Sequence, residues 1–299
     1  MKRSPSIALA SLALLGAGSL NAATLIEETF QEYTAGGANV AGNNGGVGFT
    51  GAWVNTRNSP DVYDGTQGWG GGGDTLNVNG NYVAGNAWSG IARPIGSTLL
   101  DANLLDDGAT LWFGAQLALV GMNTSNADIN IALTNAAKFV SGTFGDRENL
   151  DQDNVEGIGI THSRAVIEGV YWQDDGTADA VTRRTENSST LTINGADPNP
   201  IQALIVGKIE WGANGTADET LTLYYPDGAG GLTTPIMDPW TVPALNQSSF
   251  DTLAIQFKDQ AQVDEIRFGS SSADVLVPEP ASAALLGLGL LGLIARRRR

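Results

Sequence analysis

The stretch Ile201-Gln-Ala-Leu-Ile-Val-Gly-Lys-Ile-Glu-Trp211, followed after a turn cluster by Thr220-Leu-Thr-Leu-Tyr-Tyr225, decides the fold. Side chains alternate between the two faces of a strand, so Ile201, Ala203, Ile205, Gly207, Ile209 and Trp211 share one face. Leu221, Leu223 and Tyr225 then share the core face of the next run, with Thr220, Thr222 and Tyr224 opposite. Between the runs stands Ala213-Asn-Gly-Thr-Ala-Asp218, rich in turn formers. Two alternating runs around such a cluster predict a long antiparallel hairpin.

Working outward, Ala109 to Val120 is the longest apolar run. Both of its faces are largely apolar, which predicts a central, well-covered strand. Further strands are expected over Thr24–Phe30, Ala87–Arg93, Asp128–Thr134, Lys138–Phe144, Val155–His162 and Ala165–Gln173. Thr75–Val83 reads as a hairpin around Asn79-Gly80-Asn81. Leu253, Ile255 and Phe257 make a late alternating strand, and Ile266 and Phe268 supply the last core face. Gly36–Gly51 and Pro226–Pro243 read as loops. About a dozen strands without recurrent helices predict an all-β fold, an antiparallel jelly-roll β-sandwich.

Both ends of the chain differ from this body. Residues 1–23 have a basic start at Lys2 and Arg3, a short apolar stretch from Ile7 to Leu20, and small residues Ala22 and Ala23. That is the pattern of a secretory signal peptide, an N-terminal signal helix removed on export. Residues 278–299 read Pro278-Glu279-Pro280, then an uncharged run from Ala281 to Ala295, then Arg296, Arg297, Arg298 and Arg299. The run is slightly short for the ~20 residues that cross a bilayer, and snorkelling arginines make up the difference. It is expected to form a transmembrane helix whose arginines keep the C-terminus cytoplasmic.

The order of these three parts resembles the PEP-CTERM sorting signal of bacterial proteins. The resemblance implies recognition by an exosortase-type membrane protease and cleavage near Pro278-Glu279-Pro280. It also implies delivery to the outer envelope or extracellular matrix of a Gram-negative cell that makes exopolysaccharide. An ordinary tail anchor is the alternative reading of the same residues. Within the body, Leu204 to Gly212, Asp218 to Pro226 and Val263-Asp-Glu-Ile-Arg-Phe-Gly269 resemble the concanavalin-like or laminin-G-like sandwiches that often precede such tails. That resemblance implies that Val263–Gly269 returns beside Leu25–Phe30. It implies a fold and not an activity.

Charge and composition narrow the function. The body, residues 24–277, holds 10 Lys and Arg against 31 Asp and Glu, a formal net charge of −21. Such a surface repels nucleic acid and anionic lipid headgroups. The chain has no cysteine, which suits export and removes any His/Cys zinc site. His162 is the single histidine, and no serine sits in a Gly-x-Ser-x-Gly turn, so a Ser-His-Asp triad has no support. No Glu-x-Asp-x-x-Glu strand is present for paired-carboxylate glycoside hydrolysis. Strict alternation puts Asp264 and Glu265 on opposite faces, and Glu265 and Arg267 on one face as a surface pair. Two Gly-x-Gly-x-x-Gly matches, Gly68–Gly73 and Gly287–Gly292, open no helix after a strand and are not nucleotide sites.

Two binding possibilities remain. Asp146, Asp151 and Asp153 crowd one acidic segment and are candidate calcium ligands, since hard oxygen donors suit Ca²⁺. They do not fit the EF-hand spacing, and solvated acidic loops are the plainer reading. Tyr63, Trp69, Tyr82 and Trp88 lie among Asn, Asp and Gly and are candidate glycan contacts. The alternative is that they fill the core, as expected of Trp53, Trp112, Trp172 and Trp211. The expectation is an exported, non-catalytic glycan-binding or matrix module. The alternatives are a secreted polysaccharide hydrolase or lyase, and a purely structural matrix protein.

Overall fold

The computed structural model describes residues 24–56, 58–64, 81–85, 89–119, 128–135, 156–163, 166–173, 201–227, 231–233, 235–258 and 261–276. The expected signal peptide and transmembrane helix lie outside these, as do the expected strand over Lys138–Phe144 and the turn at Asn79-Gly80. Among the described residues no helix is long and apolar enough to cross a membrane.

The strands are β1 (Ile26–Glu28), β2 (Ala38–Asn39), β3 (Val54–Asn55), β4 (Asp61–Asp64), β5 (Asn81–Ala84), β6 (Ser89–Pro94), β7 (Thr110–Leu119) and β8 (Asp128–Thr134). They continue with β9 (Gly157–Ser163), β10 (Val166–Trp172), β11 (Ile201–Glu210), β12 (Glu219–Tyr224), β13 (Met237–Val242), β14 (Thr252–Lys258) and β15 (Ala261–Gly269). Two four-residue helices, α1 (Thr98–Asp101) and α2 (Ser272–Val275), complete the regular structure with a short 3₁₀ turn at Gln247–Ser249. The larger sheet has the order β13-β12-β11-β7-β15-β5-β4-β2, with β1 also on β15. The smaller has the order β10-β9-β8-β14-β6-β3. The ladders between these strands are antiparallel, so the chain is an antiparallel β-sandwich.

The predicted hairpin is β11–β12, with Ile209 opposite Leu221 and Gly207 opposite Leu223. The predicted central strand is β7, flanked by β11 and β15. The returning strand is also where the resemblance put it, with Ile26 opposite Phe268 and Glu28 opposite Ile266. Between the sheets lies one core. Leu111, Phe113, Ala115 and Leu117 of β7 meet Ile129, Ile131 and Leu133 of β8 and Leu253, Ile255 and Phe257 of β14 there. Each fully buried Leu, Ile or Phe contributes about 1.5–3 kcal/mol relative to exposure. Gly207 is required by a neighbour, since a Cβ there would lie 2.0 Å from the Phe113 ring.

Three expectations are corrected. Pro226–Pro243 is not all loop, because Met237–Val242 forms β13 and buries Met237, Trp240 and Val242. Its prolines hid it, but β13 is an edge strand, where a proline without an N–H is tolerated. Gly36–Gly51 is not an unpacked loop either. It folds back so that Val40 is buried and Phe49 packs on the core, while Tyr33 and Trp53 at its ends are buried. Gly48 has φ +81, and a Cβ there would lie 2.1 Å from the Leu25 carbonyl oxygen, so close backbone approach sets this fold-back. Finally, Trp53 and Trp211 are core residues as expected, but Trp112 is half-buried on the outer face of the larger sheet, beside Tyr224.

Candidate functional site

The first concentration of polar groups lies inside the sandwich. Glu28 of β1 and Arg93 of β6 are each 1% exposed and pair at 2.5 Å across the two sheets. Each side-chain nitrogen of Arg93 and each carboxylate oxygen of Glu28 has a partner. Tyr33 Oη (2.5 Å), Trp53 Nε1 (3.0 Å) and Arg93 Nη1 donate to Glu28 Oε2, and the Phe30 N–H donates to Oε1. Arg93 also donates to the Gly51 carbonyl and Asn44 Oδ1, and its guanidinium lies 3.9 Å over the Phe49 ring. Burial, and then the Glu28 charge, push the Tyr33 phenol up, so it stays a donor. This cluster ties the glycine-rich fold-back to both sheets. It is closed to solvent and serves the fold.

The second concentration lies on the outer face of the larger sheet. Val62, Val83 and Val263 point into the core, so Tyr63, Tyr82 and Gln262 belong to the opposite face. Tyr63 and Tyr82 stand directly opposite each other on β4 and β5. Their ring centroids are 5.7 Å apart with planes 20° from parallel, and both are half-buried. Beside them, Gln262 pairs with Ala84, and Asp264 stands opposite Gln116 of β7. Asp264 and Gln116 are fully buried and Gln262 is 8% exposed. Among the described residues Asp264 Oδ2 and Gln262 Oε1 have no hydrogen-bond partner.

A bulge shapes this corner. The β15–β7 register shifts between Asp264 and Arg267, and Glu265 has φ 49. A bulge breaks strict alternation, so the expected opposition of Asp264 and Glu265 does not hold. Asp264 Oδ1 accepts the Glu265 N–H at 2.8 Å. Burial raises the Asp264 carboxyl well above the usual range, and the charges of Glu265 and Glu28 add to that. The expected Glu265–Arg267 pair is present at 3.0 Å, and Arg267 also reaches Glu27 at 2.7 Å.

A third group sits at the β12 end of the sandwich. Glu219 is fully buried, its Oε1 accepts the Leu245 N–H at 3.0 Å, and its Oε2 has no partner among the described residues. Burial pushes its carboxyl up to about 7. Glu156 Oε2 accepts the next amide, from Asn246, at 2.8 Å. Glu219 at the start of β12 and Glu156 just before β9 thus hold consecutive amides of one connection.

Of the sequence candidates, the structure brings Tyr63 and Tyr82 together. Trp69, Trp88, Asp146, Asp151 and Asp153 lie outside the described residues. Among the described residues no group of three or more potential ligating side chains is arranged for a metal ion. His162 pairs in register with Ile129 and Ile167 within β8–β9–β10. Sequence reading did not single out Gln116, Gln262 or Asp264 as a group, because their meeting follows from the β7–β15 pairing and no local period links them.

The body ends on this same outer face. Val275 and Leu276 pack with Leu204 and Val206, with Trp112, Tyr224 and Leu232 around them. From there the chain runs into its last segment, and residues 276–299 match the PEP-CTERM protein-sorting motif. The chain carries a PEP-CTERM tail. That tail implies export through an exosortase pathway, with a membrane-anchored stage in transit. The motif covers Pro278, Glu279, Pro280 and the four terminal arginines identified from sequence.

No curated protein matches this chain. Among solved structures, the chain is similar to a carbohydrate esterase from the Shiga toxin-encoding bacteriophage phi24B, at 16% identity over 84% of this chain and 99% of that one, TM-score 0.40. It is similar to the carbohydrate-binding module CBM66 from Bacillus subtilis, at 10% identity over 73% and 95%, TM-score 0.33. It is similar to the alginate lyase Aly36B, at 9% identity over 82% and 96%, TM-score 0.43. An esterase, a binding module and a lyase stand side by side at this distance, and none of them speaks for the activity of this chain.

Proposed function

We propose that the PEP-CTERM tail delivers this protein to the outer envelope or extracellular matrix, where its body acts as a non-catalytic glycan-binding module. An exosortase-type protease is the processing partner, and the C-terminal arginines face the cytoplasm during transit. The observation that carries the delivery half is the motif at residues 276–299 following directly on a closed β-sandwich. The glycan half rests on the stacked, half-buried Tyr63–Tyr82 pair on the outer face. Aromatic rings of this kind offer an apolar platform with a polar rim, the match for the flat face of a pyranose. The net charge of the body favours neutral or cation-bridged polysaccharide over nucleic acid. Calcium at Asp146, Asp151 and Asp153 belongs to this proposal as the bridging ion.

The test is retention of the exported protein on immobilised matrix polysaccharides, with calcium and with a chelator. Retention that drops when Tyr63 and Tyr82 are both changed to Ala supports the reading. Absence of retention on every polysaccharide in both conditions removes the glycan half. A second reading, a polysaccharide hydrolase or lyase, is favoured by one observation: Asp264 stands at a bulge beside the β5 strand with its carboxyl raised well above the usual range by burial, the direction a general acid needs. Release of shortened sugar chains in the same assay, lost in Asp264→Asn, establishes that reading instead.

A further inference from the structure

The pole that carries the β11–β12 turn is built from three connections, residues 97–109, 211–219 and 243–251. They hold six Asp and Glu and no Lys or Arg. Hydrogen bonds join them. The Asn214 N–H donates to Asp107 Oδ1 at 2.9 Å, Asn214 Nδ2 to Asn246 Oδ1 at 3.0 Å, and the Gly215 N–H to the Leu245 carbonyl at 2.8 Å. Most of these acids are exposed, and solvated surface acids alone make no site.

The floor of the pole is different. Glu219 and Gln247 are both 0% exposed. Glu219 reaches across to the Leu245 N–H, while Gln247 reaches back and donates through Nε2 to the Gly212 carbonyl at 3.3 Å. Gly212 lies against the residue before Glu219, since a Cβ on it would fall 2.5 Å from the Asp218 carbonyl oxygen. The two side chains therefore cross one gap in opposite directions. Each keeps an oxygen, Glu219 Oε2 and Gln247 Oε1, that has no partner among the described residues. Glu156 borders the gap from just before β9, with Oε2 on the Asn246 N–H, and the charges of Asp218 and Glu156 push against that of Glu219.

A buried oxygen without a donor is costly, and a buried carboxylate without a counter-charge more so. Both unpartnered atoms are acceptors, so what they call for is positive. A water would serve one oxygen and leave the two carboxylates in repulsion. A divalent cation answers both needs. Ca²⁺ takes about six to eight oxygens, and carboxamides, backbone carbonyls and waters count among them, so two carboxylates are enough to start its shell.

We propose that Glu219, Glu156 and Gln247 hold a calcium ion at the floor of this acidic pole. The site shares no residue with Asp146, Asp151 and Asp153 and does not depend on glycan binding. The ion ties the β11–β12 hairpin to the connection between β13 and β14, and the exposed acids around it draw cations toward it.

The test is melting of the purified exported protein at neutral pH, in a chelator and in calcium chloride. Calcium at about 100 times its dissociation constant is expected to raise the melting temperature by about 5–10 °C. Glu219→Gln keeps an acceptor for the Leu245 amide and removes the charge. It is expected to melt at or above the parent in chelator, to lose most of the calcium rise, and to bind calcium at least about tenfold more weakly in calorimetric titration. That reversal of order between the two buffers is what a merely structural glutamate would not produce. A variant with Asp146, Asp151 and Asp153 all changed to Asn is expected to keep the parent's rise. No rise in the parent at millimolar calcium overturns the proposal. So does a rise that survives Glu219→Gln, or one that vanishes in the triple variant, since either puts the ion elsewhere.

Discussion

The inner polar cluster and the outer-face polar row are both shielded from water, yet they differ in one respect. Around Glu28 and Arg93 the two charges meet, and each side-chain nitrogen and oxygen of the pair has a partner. At Asp264 and Gln262 two buried oxygens have none among the described residues. A buried, fully paired cluster holds a fold together, while an unpaired one costs stability and is kept for another reason. The contrast separates scaffold from candidate site, and measurement can break it.

The largest effect is expected at Arg93. Arg93→Ala leaves the Glu28 carboxylate buried without a cation and is expected to cost about 3–5 kcal/mol in a urea unfolding experiment. A loss under 1 kcal/mol at this position would remove the inner cluster from the scaffold.

Glu219 comes next and is half-paired, with one oxygen on Leu245 and one alone. Its carboxyl titrates near 4.5 when unfolded and at about 7 when folded. Between these values the folded state keeps a proton that the unfolded state has released. Stability therefore falls as pH rises through that window and levels off above it, by about 3 kcal/mol in all. Glu219→Gln should flatten the profile. A profile that rises from pH 4.5 to 7 in the parent protein contradicts the unpaired geometry.

At Asp264 the sign is reversed from Arg93. Asp264→Asn replaces a costly buried acid with a neutral group of similar size. At neutral pH it is expected to be neutral or to stabilise by up to about 1 kcal/mol, since no paired charge is lost. Destabilisation by several kcal/mol would show that Asp264 is paired like Glu28. Smallest in stability is Tyr82→Ala, at about 1 kcal/mol or less for a half-buried ring in a cross-strand pair. Its effect on polysaccharide retention is expected to far exceed its effect on melting.

The same contrast marks what the sequence made legible. The β11–β12 hairpin and the central β7 strand were readable because alternation persists over their whole length. β13 was not, because Pro239 and its neighbouring prolines mask an edge strand whose pairing also shifts register at Leu221 and Leu223. Glu28 carries no local signal of its role in the sequence. Its partner Arg93 lies 65 positions away, and no local period links them. Tyr63 and Tyr82 were visible as aromatics among turn formers, but their stacking follows from the β4–β5 register. The relation of Asp264 to Glu265 was not readable for a physical reason: a bulge with a left-handed residue at Glu265 inserts one position, so strict alternation does not carry across it.

The bond between Thr24 and the Asp274 carbonyl brings the two extremities of the sandwich together, so the polypeptide is close to a ring. A ring has no privileged opening. Splicing these extremities with a few residues and cutting the backbone instead at the exposed Asn214–Gly215 turn between β11 and β12 should yield a permutant with the same two layers. Such a permutant would present any address tag from a different pole, turning the orientation of this domain on a surface into a choice.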